Sequence, residues 1–218
     1  MLSVDEALAR AAALAAGPRR ILGIAGAPGA GKSTLAARVV GALGAAAVLV
    51  PMDGFHLAQA ELRRLGRADR KGAPDTFDAS GFVALLERLH AQRPGPGRVG
   101  EVAYAPHFDR TLEEAVAGWV PVAAEVPLVV VEGNYLLHDD GPWSRVRPLL
   151  DEAWFVEVDD AVRVERLVAR HVAFGKEPGA ARRWTLGPDQ SNARLVAATR
   201  GHADAVVRLD QPAPAGPA

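Results

Sequence analysis

The sequence predicts an α/β fold with a mainly parallel central sheet flanked by helices. Three observations predict it. Short runs that are apolar throughout, such as Ile21 to Ala25 and Pro127 to Val131, read as strands buried on both faces. Helical stretches alternate with those runs along the chain. A glycine-rich turn joins the first run directly to a helical segment.

The elements follow in order. Residues 3–16 read as a helix, because Ser3-Val4-Asp5-Glu6 matches a capping box and Gly17-Pro18 stops it. Ile21 to Ala25 is the first strand, and Lys32 to about Leu43 the next helix. Ala46 to Val50 is a second buried strand, ended by Pro51. Leu57 to Leu65 is helical, and Arg67 to Asp78 is polar and irregular. Ser80 to Gln92 is an amphipathic helix with Phe82, Leu85, Leu86 and Leu89 on one face and Asp78 as its cap. Pro94-Gly95-Pro96-Gly97 is a loop. Val99 to Tyr104 and Trp119 to Glu125 are two candidate strands that could pair. Pro127 to Val131 is the most apolar strand. Trp143 to Leu150 is a short helix, Trp154 to Val158 a strand, and Asp160 to Phe174 an arginine-bearing helix. Pro188 to Thr199 is helical and Ala205 to Leu209 a last strand. One domain spans residues 1–210, with a disordered tail at 211–218.

Composition excludes several classes of function. The 218 residues carry 25 basic and 26 acidic side chains, so no global field collects nucleic acid or anionic membrane. There is no cysteine, which excludes disulfides, thiolate metal sites and cysteine nucleophiles. No apolar segment approaches the roughly 20 residues that span a bilayer. A cytoplasmic protein is expected, with a small molecule as partner, neither nucleic acid nor membrane, and a homodimer possible. Lys32, Lys71 and Lys176 are the only lysines among the basic residues, so each position merits examination.

Gly26-Ala27-Pro28-Gly29-Ala30-Gly31-Lys32-Ser33 fits G-x-x-x-x-G-K-[ST] at every fixed position. Glycines let the backbone wrap a phosphate chain with several N–H groups pointing inward. The loop opens a helix, whose N-terminus also favours anions. Lys32 is placed to reach the β- and γ-phosphates, Ser33 to ligate Mg²⁺, and Thr34 completes the cradle. A dinucleotide site is disfavoured because no G-x-G-x-x-G is present. The N/T-K-x-D pattern by which GTPases read guanine is also absent, which favours ATP. The fold is thereby narrowed to a P-loop NTPase.

Ligands of open α/β sheets sit beyond the carboxyl ends of the strands. Two acids lie there. Asp53 follows the strand at 46–50, and Glu132 follows the strand at 127–131. Phosphoryl transfer to a hydroxyl needs a carboxylate to orient or accept the proton, and Mg²⁺ to spread the phosphate charge. Asp53 is assigned as the base and Glu132 to the metal.

Five blocks then carry a resemblance. They are the phosphate loop, Met52-Asp53-Gly54-Phe55-His56, Lys71 to Asp78, Tyr104 to Arg110, and Val131-Glu132-Gly133-Asn134-Tyr135. In their order they resemble the phosphoribulokinase/uridine kinase family of P-loop kinases, which includes bacterial-type pantothenate kinase. Within it the sequence is most similar to a bacterial branch labelled fructose transport system kinase. The resemblance implies ATP-dependent phosphorylation of an acceptor hydroxyl, with Asp53 matching the catalytic aspartate. It also implies a helical lid, here about 163–184, whose arginines close over the phosphates. Arg166 and Arg170 stand four residues apart and so share one helix face. A solvated basic face is the alternative. Uridine kinases carry an Asp where this sequence has Gly72. Lys71-Gly72 looks instead like the pantothenate kinase version, and Tyr104 to Arg110 matches neither branch.

The acceptor candidates are His56, Lys71, Asp75, Tyr104, His107, Arg110 and Asn134. Lys71 and Arg110 suit a carboxylate or phosphate; Asp75 and Asn134 suit hydroxyls. A lone histidine is equally well explained as structural. The expected activity is transfer of the γ-phosphoryl group to a nucleoside, sugar or pantothenate-like acceptor. An acceptor-independent P-loop ATPase acting as a switch is the alternative.

Overall fold

The structure is a computed structural model that describes residues 1–92 and 101–209. The expected loop at 94–97 and tail at 211–218 lie outside the described residues. Five parallel strands form the central sheet in the order β2-β5-β1-β6-β7: β1 Arg20–Ala25, β2 Ala47–Pro51, β5 Leu128–Gly133, β6 Glu152–Glu157 and β7 Ala205–Arg208. β5 is buried at every residue and β1 at every residue after Arg20. The apolar runs at 21–25 and 128–131 follow, since each face is covered by another layer.

Alternate side chains feed two layers. Leu22, Ile24, Leu128, Val130, Trp154 and Val156 pack against α1 (Val4–Ala15) and α2 (Lys32–Leu43). Ile21, Val129, Val131, Ala153 and Phe155 pack on the other side with Phe82, Leu86 and Leu89 of α4 (Ala79–Ala91). Each such buried side chain contributes about 1.5–3 kcal/mol relative to exposure. Ser3 and Glu6 make the expected capping box, and Asp78 caps α4 through the Gly81 N–H.

The remaining helices are α3 (Gln59–Arg64), α5 (Asp160–Ala173), α6 (Pro178–Trp184) and α7 (Gln190–Ala198). Three expectations need correction. The short helix expected at 143–150 is two tight turns, Gly141–Arg145 and Arg147–Leu149, because Pro148 supplies no N–H to continue a ladder. The helix expected from Pro188 begins at Gln190. A wide turn, Thr185–Asp189, precedes it and accommodates Pro188. α6 was not expected; Pro178 opens it and Glu177 accepts from the Gly179 and Ala180 N–H groups.

The two candidate strands pair as expected but run further. β3 (Val102–Asp109) and β4 (Glu114–Ala123) form an antiparallel hairpin with a register shift between Ala105 and His107. This hairpin leans on the turn that holds Asp53. A Cβ added at Gly54 would lie 2.3 Å from the Pro106 carbonyl oxygen, so backbone meets backbone there. Gly54→Ala should therefore push the hairpin from the Asp53 turn and cost about 1–3 kcal/mol. Calorimetry should show a lowered Tm; an unchanged Tm would mean that the contact is not tight.

Candidate active site

The carboxyl tips of three neighbouring strands converge. Pro51 of β2 is level with Glu132 of β5, and Ala25 of β1 with Gly133. The phosphate loop leaves β1 and turns into α2. Gly29 and Gly31 take φ of +80° and +96°, a region that side-chain-bearing residues rarely adopt. Space is also closed to a Cβ: at Gly29 it would meet the Arg163 carbonyl oxygen at 2.9 Å, and at Gly31 the Leu209 Cδ1 at 2.3 Å. Gly31 caps α2 without any side-chain hydrogen bond. The first N–H groups of the helix thus face the loop bare, with the positive end of its dipole behind them.

Polar side chains in this cradle rest on one another. Lys32 Nζ donates to Asn134 Oδ1 at 2.7 Å and to the Ala27 carbonyl at 3.2 Å. Ser33 Oγ donates to Glu132 Oε1 at 3.2 Å. Burial draws the Lys32 ammonium below its ordinary value, opposed by Glu132 and Asp53. Burial raises the Glu132 carboxyl, and Lys32 opposes that rise while the nearby Asp53 adds to it. A cavity of about 650 Å³ opens beside the loop. It is lined by Gly29, Gly31, Lys32, Ser33, Thr34 and the guanidinium groups of Arg38, Arg110, Arg166 and Arg170. Arg166 and Arg170 therefore do share one face, and it is turned to the phosphate cradle.

Asp53 stands on the turn after β2, and Arg110 Nη2 lies 3.2 Å from its Oδ2. Burial pushes the Asp53 carboxyl up, but His56, Arg110, Lys32 and Arg170 together outweigh it and hold the group below its ordinary range. Burial also lowers the His56 imidazole, against the pull of Asp53. The Arg110 guanidinium is itself sandwiched, 5.7 Å from the Phe108 ring centre and 5.6 Å from that of Phe174.

A second cavity of about 450 Å³ continues from Asp53. His56, Lys71, Arg110 and Asn134 of the sequence candidates line it. His56 is wedged against Phe77 and Phe108, with Nδ1 2.8 Å from the Asp53 carbonyl oxygen. Asn134 also serves Lys32, a role that sequence reasoning did not assign. Arg110 and Arg170 line both cavities.

Three candidates are not brought there. Ala103 and Ala105 of β3 point into the core, so the strand's alternation leaves Tyr104 57% exposed on the outer side. Past the register shift, Phe108 turns inward and His107 stacks on Trp119 of β4. The Asp75 carboxylate is held by Arg70 at 2.8 Å and Arg67 at 3.2 Å, away from Asp53. Trp184, an adenine-stacking candidate by type, lines the second cavity rather than the nucleotide one. Sequence reasoning missed Arg38, Leu209, Asn192 and the His171–Asp189 pair, whose Nε2 and Oδ2 are 2.7 Å apart, and it marked Lys176 by its rarity without assigning it to the site. Arg38 was findable, since it lies one helical turn after Thr34. Among the described residues no group of three His, Asp or Glu could hold a metal, and no helix is long and apolar enough to cross a membrane.

A parallel sheet, a bare helix N-terminus behind a glycine loop, and a carboxylate on the neighbouring strand tip define a P-loop phosphotransferase. Comparison with known proteins agrees. The model of the Phosphoribulokinase / Uridine kinase family matches residues 21–175, so the chain belongs to that family. It is 35% identical over 155 residues to the ATP-dependent kinase-like protein notR' of Aspergillus versicolor, covering 68% of this chain and 88% of that one. It is 34% identical over 183 residues to a candidate uridine kinase of Schizosaccharomyces pombe, covering 79% and 75%. The crystal structure of a candidate fructose transport system kinase from Silicibacter sp. TM1040 superposes with a TM-score of 0.82 at 36% identity, covering 94% of this chain and 99% of that one.

Removing Arg110 strips Asp53 of its nearest cation. Arg110→Ala should lower kcat on the order of 10². It should also move the acid limb of kcat/KM to higher pH, because the Asp53 carboxyl is then held down less strongly. An unmoved limb would mean that Arg110 does not tune Asp53.

Proposed function

We propose that the chain transfers the γ-phosphoryl group of ATP to a hydroxyl of a small molecule seated in the second cavity, with Asp53 as the base. The supporting observation is the place of Asp53. It lines the second cavity, ionised, 3.2 Å from Arg110, which together with Arg170 lines both cavities. An alcohol entering from the acceptor side meets a carboxylate at the same point where a phosphate chain on the loop would end. The hydroxyl oxygen forms the new bond to the γ-phosphorus, its proton passes to Asp53, and the bond to the bridging oxygen breaks to release ADP. Lys32, Arg110, Arg166 and Arg170 stabilise charge on the transferring group and on the leaving phosphates.

Ser33 and Glu132 are the residues that would hold Mg²⁺. The donor set fits: a hydroxyl and a carboxylate, both hard oxygen ligands, suit an ion that otherwise keeps waters and phosphate oxygens. The ion would spread negative charge across the phosphates when bound.

The closing segment is narrower than the sequence expectation of 163–184. Arg163 is only 2% exposed; it bonds Asp160, Gln190 and the Pro28 carbonyl, and Leu167 is buried beside Gly29. The first turns of α5 thus belong to the phosphate loop. The part that would close begins near Arg170 and runs through α6, where Phe174 is exposed and both Phe174 and the half-buried Trp184 line the second cavity. It closes over the acceptor and excludes water before transfer.

Asp53→Asn should lower transfer by about 10²–10⁴ while leaving ATP affinity nearly intact. Product mass spectrometry with nucleosides, sugars and pantothenate measures it. Normal turnover by this variant would remove the base, and hydrolysis with no phosphorylated product would favour a nucleotide switch. Amides of 170–184 should gain exchange protection when nucleotide and acceptor are both bound, while those of 160–167 are already protected. Equal protection across α5 and α6 in the free protein would refute the closure.

A further inference from the structure

A chain that uses arginine for nearly all its basic positions places each of its three lysines on the cleft. Lys32 lines the nucleotide cavity. Lys71 and Lys176 line the acceptor cavity, and neither ammonium is ion-paired to a carboxylate among the described residues. Each is backed by an aromatic ring instead. Lys71 Nζ lies 5.0 Å from the Phe108 ring centre, and Lys176 Nζ 5.0 Å from that of Trp184. Such a ring steadies a cation while leaving its charge uncompensated.

Lys71 is further fixed by Glu113. Its Nζ donates to the Glu113 carbonyl at 2.9 Å. Glu113 is the one residue other than glycine with positive φ among the described residues, at 55°. It is the last residue of the loop joining β3 to β4, where a left-handed residue commonly closes a hairpin, so the turn holds its carbonyl in place for Lys71. The acids of the cavity are Asp53, Asp189 and Glu113. The first is matched by Arg110 and the second by His171, and the Glu113 carboxylate makes no ion pair. The two ammonium groups come from separate segments, the turn after α3 and the connection from α5 to α6. They are the cations of this cavity left without a carboxylate or a phosphate-loop role.

We infer that the acceptor is an anionic alcohol, whose carboxylate or phosphate is held by Lys71 and Lys176 while its hydroxyl meets Asp53. This rests on the kinase reading above and deepens it. A compact ammonium suits the task, because it adapts to either anion without the fixed fork of a guanidinium.

The small number of lysines makes the test direct. The full chain, saturated with ADP and Mg²⁺, is acetylated at its amines, and the rate at each lysine is followed by peptide mass spectrometry. Matched alcohols are added in pairs: pantothenol and pantothenate, glucose and gluconate, ribose and ribose 5-phosphate. Lys32, shielded by ADP alone, is the internal reference. The anionic member of at least one pair should slow acetylation of both Lys71 and Lys176, about fivefold at roughly four times its Kd, and its neutral partner should not. The first two pairs report a carboxylate and the third a phosphate. Equal slowing by neutral and anionic members overturns the inference, as does no slowing by any anion. The protection should persist in Asp53→Asn, which has lost transfer. An active Asp53→Asn with anion-selective protection would sink the base but keep the seat. An inactive one without such protection would keep the base and sink the seat.

Discussion

The bare amino terminus of α2 is the constraint on which the site depends. Gly31 supplies no cap, so the first N–H groups of a twelve-residue helix face an empty concavity. Unmet donors at a helix start are stabilised by anions, and the glycines before them admit the backbone curvature that an anion needs. The rest of the cleft is built around that demand. Four arginines and Lys32 add positive charge to the same space. Two carboxylates, Asp53 and Glu132, approach from β2 and β5 and balance part of it.

That balance explains the internal contacts. Lys32 rests on Asn134 and Ser33 on Glu132, so buried polar groups have partners before any phosphate is present. Arg163 and Leu167 pin the start of α5 against Gly29, which makes the cradle rigid on that flank.

How much was legible in the sequence depended on how local each feature is. The phosphate loop lies in eight consecutive residues, and Asp53 and Glu132 each follow an all-apolar strand, so pattern alone located them. The parallel sheet was readable for the same reason. The second cavity draws on the turn after α3, the hairpin, the end of α5 and the start of α7, and no pattern within one segment announces their meeting. Tyr104 and His107 were misplaced because side-chain direction along β3 depends on a register shift that only its pairing with β4 reveals. Asp75 was misread because the cations that hold it, Arg67 and Arg70, lie in a stretch that was legible only as polar and irregular. α6 could have been found, since Glu177-Pro178 is a helix-start signal. The scarcity of lysine drew attention to Lys32, and it marked Lys71 and Lys176 equally.

The sandwich of Arg110 between Phe108 and Phe174 has a consequence for fuel economy. One ring belongs to the hairpin and the other ends α5, so the guanidinium acts as a pin through both walls. Any inward swing of the α5 end would drag the cation that steadies Asp53. A lone water molecule offers no bulk to draw that wall inward, and it would meet a carboxylate still claimed by its neighbour. Futile hydrolysis would be slowed by this mechanical linkage, independently of how well the cleft is sealed.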